Sequence, residues 1–412
     1  MKVLHLVAGG IAEGAGRGAY WLHQALGELG VESTLLTNAL DNCGDPSVIA
    51  LNSKPLARLV FALLSRLGNL PICLYRSRQR IIFNTGFAGF DFTRHPAYVA
   101  ADILHLHWIN SLVSMRTLRK VTKPIVWTMR DMWPLTGGCH YAMECRRYML
   151  GCGQCPQLGS AMKWDLSKFI AQYKKRVIPK DINFVGISNW LADCARESWV
   201  LKGCTVQSIY NNIDSRIFFP INRQRARKAL GLDTDRKIVL IGSQNVTDFY
   251  KGFDLLVDAL SSIDRHAVHL CFFGRSSPEY LSKLGVEHTN LGFLHDNVSL
   301  RLAYSAADVF VAPSRMDAFC KTIAEAMSCG TPVVCFDATG PRDIVDHLST
   351  GYLAKPFEIV DFANGIRWVL ERPSEEYNTL CIRARERVVT HFDSLVIANK
   401  YLDLYKSILN IL

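Results

Sequence analysis

Short apolar, β-branched runs alternate with helical stretches along this chain, and the alternation occurs twice. In the first half the runs fall at residues 3–7, 33–37, 102–106, 124–128 and 183–187. An amphipathic helix is expected over 19–29, and another begins near Ser188. In the second half the runs fall at 237–242, 269–274, 309–312 and 332–336. A near-continuous apolar strand is buried on both faces, and a helix between two such strands is the crossover that makes neighbours parallel. The expected fold class is therefore α/β, with two doubly wound, Rossmann-like domains facing each other across a cleft. At 412 residues the chain is long enough for both. A turn-rich stretch ending in Pro220 (Tyr210, Asn211, Asn212, Ile213, Asp214, then Phe218 and Phe219) sets the boundary. The expected domains are 1–210 and 211–394, with a separate final helix in 395–412.

Composition narrows the partners. The net charge is +10, which suits nucleic acid, an anionic membrane or an acidic ligand. No nucleic-acid motif appears, and no basic stretch is interleaved with aromatics as a stacking platform requires. No nucleic-acid partner is expected. No apolar run approaches the roughly 18 residues that span a bilayer. A membrane surface suits the charge better. Between Lys54 and Arg80, leucines, Val60 and Phe61 are mixed with Arg58, Arg66, Arg76 and Arg78. That segment reads equally as an interfacial helix against anionic headgroups or as a core helix with a basic edge. The start reads as a first β-strand rather than an export signal. The thirteen cysteines are accordingly expected reduced, in the cytoplasm.

Chemistry concentrates at residues 308–332. A buried strand ends at Pro313 and Ser314, a loop carries Asp317, and a helix carries Glu325 and closes at Gly330. Free N–H groups and the positive dipole end make that helix start a seat for a diphosphate. A carboxylate on the helix can take the two vicinal hydroxyls of a ribose, and the loop carboxylate can reach a sugar. The plain alternative is a strand–helix–strand unit whose Glu325 is solvated.

This segment resembles the acid-x7-acid signature of family-four (group 1) retaining glycosyltransferases of the GT-B fold, with Asp317 where Glu is usual. The stretch from Asn211 to Pro220 is similar to that family's Asn-Gly-(Ile/Val)-Asp…Phe-x-Pro hinge, with Asn212 replacing Gly. The resemblance implies a nucleotide-sugar donor as co-substrate and no catalytic metal. It implies hexosyl transfer with retention to a lipid-linked glycan at the inner membrane surface, in O-antigen, exopolysaccharide or lipopolysaccharide assembly. It also implies a final helix crossing back to the first domain. Glu325 would anchor the ribose, while Asp317 and the Ala318 and Phe319 amides hold the sugar. Lys251, before Gly252, resembles the family's diphosphate-holding lysine. The companion arginine is missing, with Ser243, Gln244 and Asn245 in its place and Arg275 as a substitute.

Gly14 and Gly16 open a G-x-G-x-x-A run that would line the cleft beneath donor phosphates and acceptor. A nicotinamide cofactor does not suit it, because the second strand ends LLTN with no acid for a ribose. Arg130 stands where relatives carry histidine. It is a candidate contact for acceptor hydroxyls or phosphate, with Asp131 beside it to accept a hydrogen bond, and both are candidate catalytic residues. His105 and His107 share a strand face and read as cleft-lining or hydrogen-bonded core histidines sooner than as a zinc pair. Cys139, Cys145, Cys152 and Cys155 form C-x5-C-x6-C-x2-C, and exopolysaccharide and O-antigen enzymes carry a similar insert. A structural zinc there is favoured over four free thiols. Asp233 and Asp235 form a D-x-D that turn chemistry explains. An epimerase of the same build, or a non-enzymatic sugar- or lipid-binding protein, is the alternative to a transferase.

Overall fold

The computed structural model describes residues 1–12, 14–39, 44–79, 81–276, 285–294 and 296–411; Arg80 lies outside them. The chain divides into two units, Met1–Tyr210 with Ile397–Leu412, and Asn211–Val396.

The first unit holds a seven-stranded sheet: β1 Lys2–Val7, β2 Glu32–Thr37, β3 Val48–Ala50, β4 Ile103–Leu106, β5 Ile125–Met129, β6 Asn183–Gly186 and β7 Thr205–Ser208. Their order is β3-β2-β1-β4-β5-β6-β7. The second unit holds β8 Lys237–Asn245, β9 Val268–Arg275, β10 His288–Asn290, β11 Val309–Ala312, β12 Val333–Phe336 and β13 Gly351–Ala354. Their order is β10-β9-β8-β11-β12-β13. All the ladders are parallel. In each sheet the chain steps outward on one side and then returns to build the other. This creates a switch point between β1 and β4 and another between β8 and β11, where open α/β sheets bind ligands beyond the carboxyl ends of their strands.

The helix expected over 19–29 starts earlier and runs Gly14–Glu28. Gly14 and Gly16 thus belong to its first turn rather than to a loop ahead of it. A Cβ on Gly16 would sit 1.9 Å from the Gly10 carbonyl oxygen, so this glycine lets the preceding loop close onto the helix. The end of β2 braces the same loop: Gly9 N–H donates to Asn38 Oδ1 (2.9 Å), and Thr37 Oγ1 donates to the Gly9 carbonyl (2.6 Å). The residues that replace a ribose-binding acid are therefore spent on holding the loop.

The final helix is Ser394–Leu409. Its Tyr401 and Tyr405 are buried and reach β4 and β5 of the first unit. Tyr405 Oη lies 2.5 Å from His105 Nδ1, and Tyr401 Oη lies 2.7 Å from Thr128 Oγ1. Before it, residues 392–394 lie beside the 211–215 stretch. Ile213 N–H donates to the Phe392 carbonyl (2.8 Å), Ser394 N–H to the Ile213 carbonyl (3.0 Å), and Ser215 Oγ to Asp393 Oδ2 (2.6 Å). Asn212 is absent from the positive-φ residues, so its place does not require a glycine.

Residues Pro55–Leu74 form a helix and a 3-10 turn that reach the length and mean hydropathy of a membrane span and are largely exposed, although Arg58 and Arg66 interrupt the apolar run.

Candidate active site

The switch point of the second sheet brings two predicted residues together. Lys251 lies in a 3-10 turn, Phe249–Lys251, six residues beyond β8; Asp317 lies five residues beyond β11. Lys251 Nζ stands 2.7 Å from Asp317 Oδ2. The two loops are locked to each other. Gly252 adopts φ +69°, and a Cβ on it would fall 2.0 Å from the Pro313 carbonyl oxygen. Arg315 N–H donates to the Tyr250 carbonyl (2.9 Å), and the Arg315 guanidinium grips Asp254 through two bonds of 2.7 and 2.6 Å. A third loop closes the site, as Gly340 N–H donates to the Asp317 carbonyl (2.9 Å). Gly340 approaches so closely that a Cβ would meet the Ala318 carbonyl oxygen at 2.2 Å.

Asp317 uses its other oxygen locally. Oδ1 accepts from the amides of Phe319 (3.1 Å) and Cys320 (2.7 Å), just ahead of the helix Lys321–Ser328. Burial alone would raise its pKa, but the Lys251 charge and hydrogen bond, with these two amides, outweigh burial and hold the carboxyl below its usual range. The amide expected from Phe319 to hold a sugar is therefore engaged by the Asp317 side chain. The Cys320 amide, which the sequence did not suggest, shares that role.

Glu325 departs from the solvated reading of its segment. It is 2 % exposed, and Oε2 accepts from the buried Tyr304 hydroxyl (2.7 Å). Arg275, the suggested substitute cation, is exposed at the end of β9 with its guanidinium 5.5 Å from the Phe293 ring centre. A cavity in this unit, about 820 Å³, is lined by Pro220, Arg223, Ser305, Cys329 and Arg385 among others. Lys251, Asp317 and Glu325 are not among its lining residues.

In the first unit Arg130 follows β5 and donates to His107 Nδ1 (3.2 Å). Burial lowers the guanidinium pKa to about 10. Because a guanidinium only donates, His107 must carry its proton on Nε2, which then serves His5 Nδ1 at 3.0 Å. His105 bonds Tyr405 and, through Nε2, Thr128 Oγ1 (2.7 Å). The ligand atoms of His5, His105 and His107 lie within 4.8 Å of one another. Burial, then neighbouring positive charge, holds all three imidazoles neutral. A cation would have to displace this network beside a guanidinium, so the core reading of the histidines stands.

Asp131 is a hydrogen-bond acceptor. It is 6 % exposed, and three donors saturate it: Trp108 Nε1 (2.7 Å) and His140 Nδ1 (2.6 Å) at Oδ2, and the Trp133 amide (2.8 Å) at Oδ1. It fixes the exit of β5 onto the cysteine insert. His140, for which the sequence carries no motif, completes the arrangement by reaching Asn84 Oδ1 at 3.3 Å. Asn110, beyond β4, is another residue the sequence did not suggest. It is 3 % exposed, and neither side-chain amide atom has a hydrogen-bond partner.

Cys139, Cys145, Cys152 and Cys155 line one cavity of about 20 Å³, room for a single small sphere. Gly151, Cys152, Gly153 and Gln154 all take positive φ, and the Gly137 amide donates to Cys152 Sγ (3.2 Å). Among the described residues, the histidine trio, and not these four cysteines, is the set of donors gathered closely enough to hold a metal. Burial pushes the Cys139 and Cys152 thiols up, the latter to about 12. Next to them Lys174 is fully buried. Its ammonium donates to the carbonyls of Trp133 and Thr136 and sits 3.7 Å from the Trp133 ring centre.

Residues 222–387, all in the second unit, match the family model for glycosyl transferases group 1. The putative colanic acid biosynthesis glycosyl transferase WcaC of Escherichia coli K12 is 25 % identical over 66 % of this chain and 69 % of its own. Sucrose-phosphate synthase from Thermosynechococcus elongatus covers 99 % of both chains with a TM-score of 0.72 at 22 % identity. Anabaena HepE, solved with UDP-glucose, covers 99 % of this chain and 100 % of its own with a TM-score of 0.64 at 17 % identity. The likeness to those two structures is one of fold. With its two parallel sheets and this matched domain, the chain is a glycosyltransferase of the GT-B fold carrying a group 1 glycosyl transferase domain.

Proposed function

We propose that this enzyme transfers a hexose, with retention, from a nucleotide-sugar to a lipid-linked glycan during assembly of a bacterial surface polysaccharide on the cytoplasmic face of the membrane. The observation that carries the donor side is the Lys251–Asp317 pair at the switch point of the group 1 domain. Lys251 would release part of its bond to Asp317 and offset the charge that grows on the departing diphosphate. Asp317, aimed by two amides, would hold sugar hydroxyls. Catalysis by such a site is positioning and charge stabilisation. Glu325 is the ribose-side acid in this reading, with Tyr304 setting its orientation. Arg130 is the acceptor-side cation. The UDP-glucose in HepE supports a nucleotide-sugar donor, and the name of WcaC supports a polysaccharide product.

Thermal denaturation with UDP and with GDP tests the donor site. At about a hundred times its dissociation constant, one nucleotide should add about 2.7 kcal/mol of stability. Glu325→Gln keeps the packed volume and should bind that nucleotide roughly tenfold more weakly, about 1.4 kcal/mol. No stabilisation by either nucleotide would remove the donor assignment. Appearance of an epimeric sugar nucleotide when acceptor is withheld would favour an epimerase.

We further propose that the four cysteines hold a structural zinc as thiolates, the metal drawing the sulfurs inward. Four thiolates on Zn²⁺ carry a net negative charge, which the buried Lys174 ammonium would offset in part. Metal analysis of the purified chain should find one zinc per molecule, with Cys152→Ser/Cys155→Ser reducing it to background. A metal-free wild-type protein of unchanged thermal stability would refute the site.

A further inference from the structure

The Pro55–Asn69 helix is turned the wrong way for a water-facing element. Its inward face is small and narrow. Phe61 packs against Phe90 at 5.9 Å between ring centres, Ser65 Oγ bonds Ser111 Oγ (3.1 Å), and a Cβ on Gly68 would meet Ala88 at 2.9 Å. Ile72, in the 3-10 turn that continues the helix, joins Cys155 and Leu158 in a small cluster. The outward face carries Leu56, Leu59, Leu63, Leu67, Leu70 and Leu74, each more than half exposed. Steps of three and four residues place them in one stripe over five turns. A monomer in water does not keep such a stripe bare.

The charges around the stripe are of one sign. Lys54, Arg58, Arg66, Arg76 and Arg78 flank it, and residues 46–90 contain no Asp or Glu. The insert on which the 3-10 turn packs exposes its own apolar side chains, Met162 and Trp164. Tryptophan is characteristic of side chains seated at the headgroup level.

We propose that this leucine stripe is the element that seats the enzyme on a membrane, lying in the interface of an anionic bilayer with the arginines among the headgroups. The even choice left by the sequence is thereby resolved by exposure: a core helix with a basic edge would hide its leucines. The inward contacts of Phe61, Ser65 and Gly68 keep the helix on its own domain, which favours lying in the interface over crossing it. The inference rests on the proposed lipid-linked acceptor, since it places the enzyme where that acceptor is.

Co-sedimentation of the full chain with vesicles tests it. Wild type should pellet with vesicles containing about a third phosphatidylglycerol, pellet several-fold less with pure phosphatidylcholine, and be released by alkaline carbonate. Leu59→Glu/Leu63→Glu should lower partitioning to the anionic vesicles at least tenfold while leaving the nucleotide-induced thermal shift unchanged. Equal pelleting of variant and wild type would overturn the inference. So would wild type remaining in the supernatant, resistance to carbonate, or a self-association in vesicle-free solution that the double variant abolishes. A protein that binds vesicles as expected but shows no nucleotide shift would sink the donor reading and leave this one standing.

Discussion

Lys251→Ala should lower kcat by about 10²- to 10³-fold, the cost of removing one preorganised charge from a developing anion. Fold stability should fall by about 1–2 kcal/mol. The Lys251 and Asp317 side chains are only 22 % and 15 % exposed, so removing the cation leaves a largely buried carboxylate short of one partner. Asp317 would also keep the Phe319 and Cys320 amides as partners. Transfer of radiolabel from UDP- and GDP-sugars to membrane extracts, measured with melting temperature, separates the two effects. Lys251→Arg, which retains charge at a similar reach, should recover part of the rate. A kcat within threefold of wild type for Lys251→Ala would mean that the cation does not act on the leaving group.

Asp131→Ala should destabilise the fold by about 3–5 kcal/mol, far more than Lys251→Ala, because it strands three buried donors that converge on one carboxylate. The expected fall in melting temperature is on the order of 10 °C. Asp131→Asn should cost less. One carbonyl oxygen can still serve Trp108 and His140, while the amide group then faces the Trp133 N–H. The folded fraction of Asp131→Asn should turn over within a few-fold of wild type. A variant with unchanged melting and a hundredfold lower kcat would restore Asp131 to the chemistry.

What the sequence could reveal followed from burial. The nine strands it located are the interior members of both sheets, where runs such as VFVA of β11 and VVCF of β12 are apolar at every position because both faces are covered. The four it did not suggest, β3, β7, β10 and β13, are the four sheet edges. Most of their residues are only partly buried or exposed, so the apolar run that marks an interior strand is diluted. Lys251 and Asp317 were legible through the family resemblance, each in the loop that follows a strand. Their mutual bond, across 66 positions, has no local signature. Nor does the fate of Asp131, fixed by Trp108 and His140 at 23 and 9 positions away, or that of Glu325, fixed by Tyr304 on another helix.

The partners of His105 and Thr128 have a consequence for how the molecule is made. The hydroxyls they meet belong to Tyr405 and Tyr401, which are synthesised after every residue of the second unit. An emerging polypeptide must therefore carry an N-terminal Rossmann layer still lacking its closing helix until the whole second unit has been made. Only then can that layer be sealed.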